Sequence, residues 1–169
     1  YHERQRRMCC AQHSINNLLG RAACTQEELD KLAEGIGGKW SLQHRWPLLG
    51  NHDANVLLLA LQQHQLAGRF WDTRRSDDVS VRELVCQQGR DPGVLGFIIN
   101  ASSRSPWTLY AVPGRHWYAI RRSETAGVWL DLDSNAAAPR DLTDEQLCNL
   151  LKDAMQRLSA EVLLIHEVQ

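Results

Sequence analysis

No apolar run in the sequence is long enough to cross a membrane. The longest unbroken aliphatic stretch is Val56 to Leu61, against the roughly 20 residues a spanning helix needs, so no membrane span is expected. Charge of either sign is not in excess: 19 basic side chains stand against 20 acidic ones, for a net charge of −1. That balance gives no general attraction to nucleic acid or anionic lipid, and neither is expected as a partner. A secretory leader is not visible, because Tyr1-His2-Glu3-Arg4-Gln5-Arg6-Arg7 is polar from its first residue. The chain does not start with methionine, so part of an N-terminus is expected ahead of it. There is no CxxC pair. Cys9, Cys10 and His13 have no second ligand pair at zinc spacing, so no structural metal is expected. Internal repeats, low-complexity tracts and linkers are lacking as well.

What is present is ordinary globular composition. The chain has 169 residues, 43% hydrophobic and 23% charged, which suits one domain over 1–169 that buries about 70% of its unfolded surface. Cysteines at 9, 10, 24, 86 and 148 make an odd count in a chain with room for a core. This favours a reducing compartment, and an intracellular, cytoplasmic location is expected. The chain is expected to be a monomer.

The apolar spacing predicts a helix over 10–19, with Ala11, Ile15, Leu18 and Leu19 inward and Gly20 at its end. A capping-box pattern from Thr25 to Glu28 opens a second helix bearing Leu29, Leu32, Ala33 and Ile36. Residues 39–52, with Trp40, Trp46, Pro47 and Gly50, read as a loop. Asp53 or Asn51 caps a third helix over roughly 54–65. Strands follow at 69–72, 94–100, 116–121 and 128–133, with a short helix at 81–88 between the first two. Thr143 starts a long helix to about Ser159, with Leu147, Leu150, Leu151, Ala154, Met155 and Leu158 inward, and 161–168 closes with a strand. Helices lead and strands dominate the second half, so the fold class is α+β, an antiparallel sheet packed on helices.

Cys10 stands where the first helix begins. Free N–H groups and the helix dipole stabilise a thiolate at such a position. A nucleophilic cysteine needs a base within hydrogen-bond reach, and the base needs an orienting group. His116, at the start of a strand, is the best base. If strands 116–121 and 128–133 form a hairpin turning around residues 123–126, paired residues sum to about 249 and His116 faces Asp133. A slip of two residues puts Asp131 there instead, and spacing alone does not choose between the two acids.

Several polar residues near the N-terminus recur at fixed offsets for which packing offers no reason. Tyr1-His2-Glu3-x-Gln5, then Cys10-Ala11-Gln12-His13-x-x-Asn16-Asn17-Leu18-Leu19, resembles the opening of the Josephin family of deubiquitinating cysteine proteases. Gly114-Arg115-His116-Trp117 and Trp129-Leu130-Asp131-Leu132-Asp133-Ser134 resemble two later blocks of that family, and residues 44–56 look like its short members rather than the ataxin branch. Cys9 departs from the pattern, since an aliphatic residue is more usual before the nucleophile.

The resemblance implies a papain-like α+β fold and hydrolysis at the C-terminal glycine of ubiquitin, with ubiquitin and ubiquitinated proteins as partners and no cofactor. By motif position Cys10 is the nucleophile, His116 the general base and acid, Asp133 the group that orients His116, and Gln5 the oxyanion-hole donor. Trp117 is a candidate wall of the substrate slot, although packing suits it and Trp129 better. The alternatives are a ubiquitin-binding module with little turnover and a cysteine hydrolase of small molecules. A ubiquitin C-terminal electrophile separates them.

Overall fold

In the computed structural model, residues 1–5, 9–37, 45–46, 51–104, 113–125 and 127–168 are described. Helices α1 (Cys10–Leu19), α2 (Gln26–Gly37) and α3 (Ala54–Gln63) come first, with a two-stranded ribbon of β1 (Arg45–Trp46) and β2 (Asn51–His52) before α3. Then come β3 (Leu66–Phe70), α4 (Asp78–Cys86), β4 (Val94–Arg104), β5 (Pro113–Arg122), β6 (Val128–Leu132), β7 (Arg140–Thr143), α5 (Asp144–Arg157) and β8 (Glu161–Glu167). Six strands form one sheet in the order β3-β8-β4-β5-β6-β7, antiparallel throughout. The fold is α+β, as the segregation of helices and strands indicated.

Helix starts follow the local chemistry. Thr25 and Glu28 exchange hydrogen bonds in both directions, Thr25 N–H to the Glu28 carboxylate at 2.7 Å and Glu28 N–H to the Thr25 hydroxyl at 3.3 Å. Asp53 accepts from the N–H groups of Asn55 and Val56 at 3.0 and 3.2 Å, and Thr143 forms a capping box with Gln146. α4 begins three residues ahead of its expected start, because Asp77 accepts from Val79 and Ser80 and caps it there.

Both faces of the sheet are covered. Phe97, Ile99 and Ala101 pack with Leu84 and Val85 of α4 and Leu147 and Leu151 of α5. Ile98 packs instead with Ile15, Leu29, Leu57 and Leu61 of the three leading helices. Val162 and Leu164 join the first cluster, Leu163 and Ile165 the second. Two-sided burial explains why these central strands read as unbroken apolar runs despite being antiparallel.

The structure also departs from the sequence reading at the end of α5, at β7 and in the β5–β6 hairpin. Leu158 is 44% exposed because α5 ends at Arg157 and leaves Leu158 as its C-cap. β7 has no apolar signature, since Leu142 is its one buried residue. The β5–β6 hairpin pairs Ala119 with Leu132, Ile120 with Asp131 and Arg122 with Trp129, a register two residues from the expected one. Gly127, with φ +79°, belongs to the connection, and Ser123 N–H closes it on Val128 O at 3.0 Å. The turn that Ser123 and Val128 close is centred one residue later than 123–126, so paired residues sum to 251 and every partner moves by two. Within the loop predicted over 39–52, Arg45–Trp46 and Asn51–His52 pair instead as the β1–β2 ribbon, and the rest of it lies outside the described residues.

Candidate active site

α1 is buried nearly all round, which an amphipathic stripe does not explain. His13, Ser14, Asn16 and Asn17 are as buried as Ile15 and Leu18. Ser14 donates to Ala11 O within the helix, and the partner of the other three is the N-terminal strap. The Glu3 carboxylate accepts from Asn16 at 3.1 Å and lies 2.8 Å from His13 Nδ1, and Tyr1 hydroxyl donates to it as well. Asn17 accepts from Glu3 N–H at 2.6 Å and donates to Glu3 O and Leu132 O at 3.2 and 3.0 Å. Asn16 also accepts from Ala23 and Cys24 N–H. The fixed polar offsets near the N-terminus therefore do have a packing reason: they clamp residues 1–5 between α1 and the turn after β6. Burial alone would raise the Glu3 carboxyl, but the hydrogen bonds from Tyr1, His13 and Asn16 hold it below its ordinary range.

Cys10 is the first residue of α1 and 3% exposed, and Cys9 precedes it at the N-cap with no side-chain cap. β5 supplies His116, which is buried. The turn after β6 supplies Asp133, whose Oδ1 lies 2.7 Å from His116 Nε2. The same oxygen accepts from Asn135 N–H at 2.9 Å, an Asx turn that aims the carboxylate at the ring. Asp133 reaches His116 from this turn, beyond the last β5–β6 pair, so the contact does not come from the ladder register that the hairpin spacing suggests. Asn135 Nδ2 lies 3.0 Å from the same ring nitrogen, a contact with no sequence signal. Asp131 is held elsewhere, by Arg140 at 2.8 Å.

Burial is the largest influence on His116 and lowers its pKa. Hydrogen bonds to Asp133 and to the Cys10 thiol, with the charges of both, outweigh it and raise the value to about 9. Burial likewise opposes ionisation of Asp133, and its bond to His116 reverses this and leaves the carboxyl below its ordinary value. Elsewhere, desolvation pushes the thiols of Cys24 up to about 12 and Cys148 up to about 11. Those two sulfurs are held as neutral thiols. Tyr118 lies on the same face of β5, its ring 5.9 Å from the imidazole and inclined by 15°.

Gln5 is joined to the same turn. Its N–H donates to Ser134 O at 2.7 Å, and the Ser134 hydroxyl donates to Gln5 Oε1 at 3.2 Å. Arg4, Gln5, Ser134 and Asn135 line a cavity of about 300 Å³. Trp117 is 2% exposed and packs in the cluster of Cys10, Ala11 and Ile15, which suits core packing better than contact with a substrate. The structure thus joins Cys10, His116 and Asp133 in one chain of contacts and ties Gln5 to the turn that bears Asp133.

A family model described as Josephin matches residues 5–166. Among curated proteins, human Josephin-2 is 37% identical over 170 residues, covering 98% of this chain and 85% of its own length. Mouse Josephin-2 is 36% identical over the same span. A Drosophila melanogaster Josephin-like protein is 32% identical, covering 98% of this chain and 72% of its own length.

Proposed function

The chain belongs to the Josephin family, generally deubiquitinating cysteine proteases, as one of its short members, and from that premise we propose that it hydrolyses isopeptide, peptide or ester bonds at the C-terminal glycine of ubiquitin. Cys10 thiolate attacks the glycine carbonyl. Gln5 and the Cys10 backbone N–H receive the developing oxyanion. His116 protonates the leaving lysine amine and then draws a proton from water as the acyl-enzyme is cleaved. Asp133 holds Nε2, which leaves Nδ1 for proton exchange with the thiol. No cofactor enters this chemistry, and every residue it uses comes from one chain.

The observation that carries the reading is the His116 Nε2–Asp133 Oδ1 contact at 2.7 Å, with the Cys10 thiol hydrogen-bonded to the same imidazole. All five cysteines are free, which fits a reducing compartment and an intracellular location. The test is turnover of ubiquitin carrying a fluorogenic C-terminal amide. Release of the fluorophore, lost in Cys10→Ala and His116→Ala, supports the reading. Ubiquitin binding without release points to a binding module, and neither binding nor release points to a hydrolase of small molecules.

A further inference from the structure

We infer that Ser134 is a positioning residue, whose hydroxyl sets which end of the Gln5 carboxamide faces the reacting carbonyl. This rests on the reading above, in which Gln5 receives the oxyanion. Ser134 is 2% exposed, and its Oγ donates to Gln5 Oε1 at 3.2 Å. A hydroxyl has a single hydrogen to give. If the Gln5 amide were turned end for end, Nε2 would donate to Oγ, and the Ser134 hydrogen would have to find another acceptor. Its Oγ makes no other hydrogen bond among the described residues, and a buried donor without an acceptor is disfavoured. Donation to Oε1 satisfies the serine and turns the two Nε2 hydrogens away from it. That is the orientation an oxyanion donor needs.

The backbone reinforces the pairing. Gln5 N–H donates to Ser134 O at 2.7 Å, so main chain and side chain of Gln5 are both fixed by one residue. Ser134 directly follows Asp133, whose carbonyl oxygen lies 3.0 Å from His2 Nε2 of the same strap. One turn thereby fixes the acid that orients His116 and the amide that receives the oxyanion. Ser134 acts through Gln5 and touches no reacting atom.

A double-mutant cycle on the ubiquitin amide substrate tests this. Ser134→Ala frees the Gln5 amide to rotate and should lower kcat by about tenfold with KM unchanged, less than the 10²–10³-fold typical of losing a whole oxyanion donor. Ser134→Thr keeps the hydroxyl and should recover most of the rate. The Gln5→Ala/Ser134→Ala double variant should be no slower than Gln5→Ala alone, because Ser134 then has nothing to orient. Should the alanine variant fail to fold, Ser134→Cys, a weak donor of similar size, should show the same loss of kcat. Losses that multiply, a Ser134 variant at wild-type kcat, or a change confined to KM overturns the inference while leaving the functional reading intact. A wild-type chain that releases no fluorophore overturns that reading, and this inference with it.

Discussion

Asp133 and Asp131 lie two residues apart, yet only Asp133 touches the imidazole, while Asp131 is occupied by Arg140. Asp133→Ala should lower kcat more than tenfold, and Asp131→Ala should have a smaller effect; steady-state kinetics on the ubiquitin amide decide it, and equal losses would contradict the assignment. His116, raised to about 9 by Asp133 and Cys10 against burial, predicts the alkaline limb. Its contribution to stability is fully present below its ordinary value near 6.5 and is lost as pH rises through about 9. Activity that requires the imidazolium falls over the same interval. In Asp133→Asn the anionic partner is gone, so the limb in a kcat/KM profile should move to lower pH; an unmoved limb would remove Asp133 from the role. From the sequence, hairpin spacing could not separate the two acids, and the family block singled out Asp133. The Asx turn that aims Asp133 is ordinary Asp turn chemistry, which does not say what group the carboxylate will face. Asn135 likewise carries no pattern that points to the imidazole.

The N-terminal strap and the β5–β6 hairpin show where elements were legible and where they were not. Caps were readable because Thr25, Asp53 and Thr143 act within three residues of themselves. The clamp of residues 1–5 on α1 was not, because Glu3 reaches partners ten and thirteen positions away. Glu3→Ala should destabilise the fold by about 2 kcal/mol, the size typical of charged hydrogen bonds. The Glu3 carboxyl is depressed in the folded state, so its contribution is present above the ordinary carboxylate range and is lost as pH falls through the folded value. The gap between mutant and wild type in urea denaturation should therefore narrow with acidification; a gap constant with pH would show that packing alone is lost. The hairpin register turned on a single residue. Gly127 has φ +79° and open space around its Cα, so Gly127→Ala should cost about 1 kcal/mol through backbone strain alone. Wild-type stability for that variant would contradict the observed turn. A side chain at Gly96 would meet Ile120 O at 2.1 Å, so alanine there must also push β4 from β5.

Across the molecule, β4 and β8 were legible as strands, while their burial on both faces emerges only from the helices packed on each side. Strand order was not legible, because β8, last in the chain, inserts between β3 and β4. The site forms where four distant pieces meet: the strap, the start of α1, β5 and the turn after β6. Only the helix start and the strand end were visible locally, and the family blocks supplied the pairing between them. At that junction two adjacent thiols compete for one role. Cys9 sits at the N-cap with non-helical φ −95° and ψ 41°, whereas Cys10 opens the helix and hydrogen-bonds to His116. Adjacent helical residues point about 100° apart, so only one faces the imidazole. The decisive measurement is peptide mass spectrometry after incubation with ubiquitin bearing a C-terminal propargyl electrophile. The account predicts one ubiquitin per chain, attached at Cys10, lost in Cys10→Ala and retained in Cys9→Ala; an adduct on Cys9, or none from a wild-type chain that still binds ubiquitin, would contradict it.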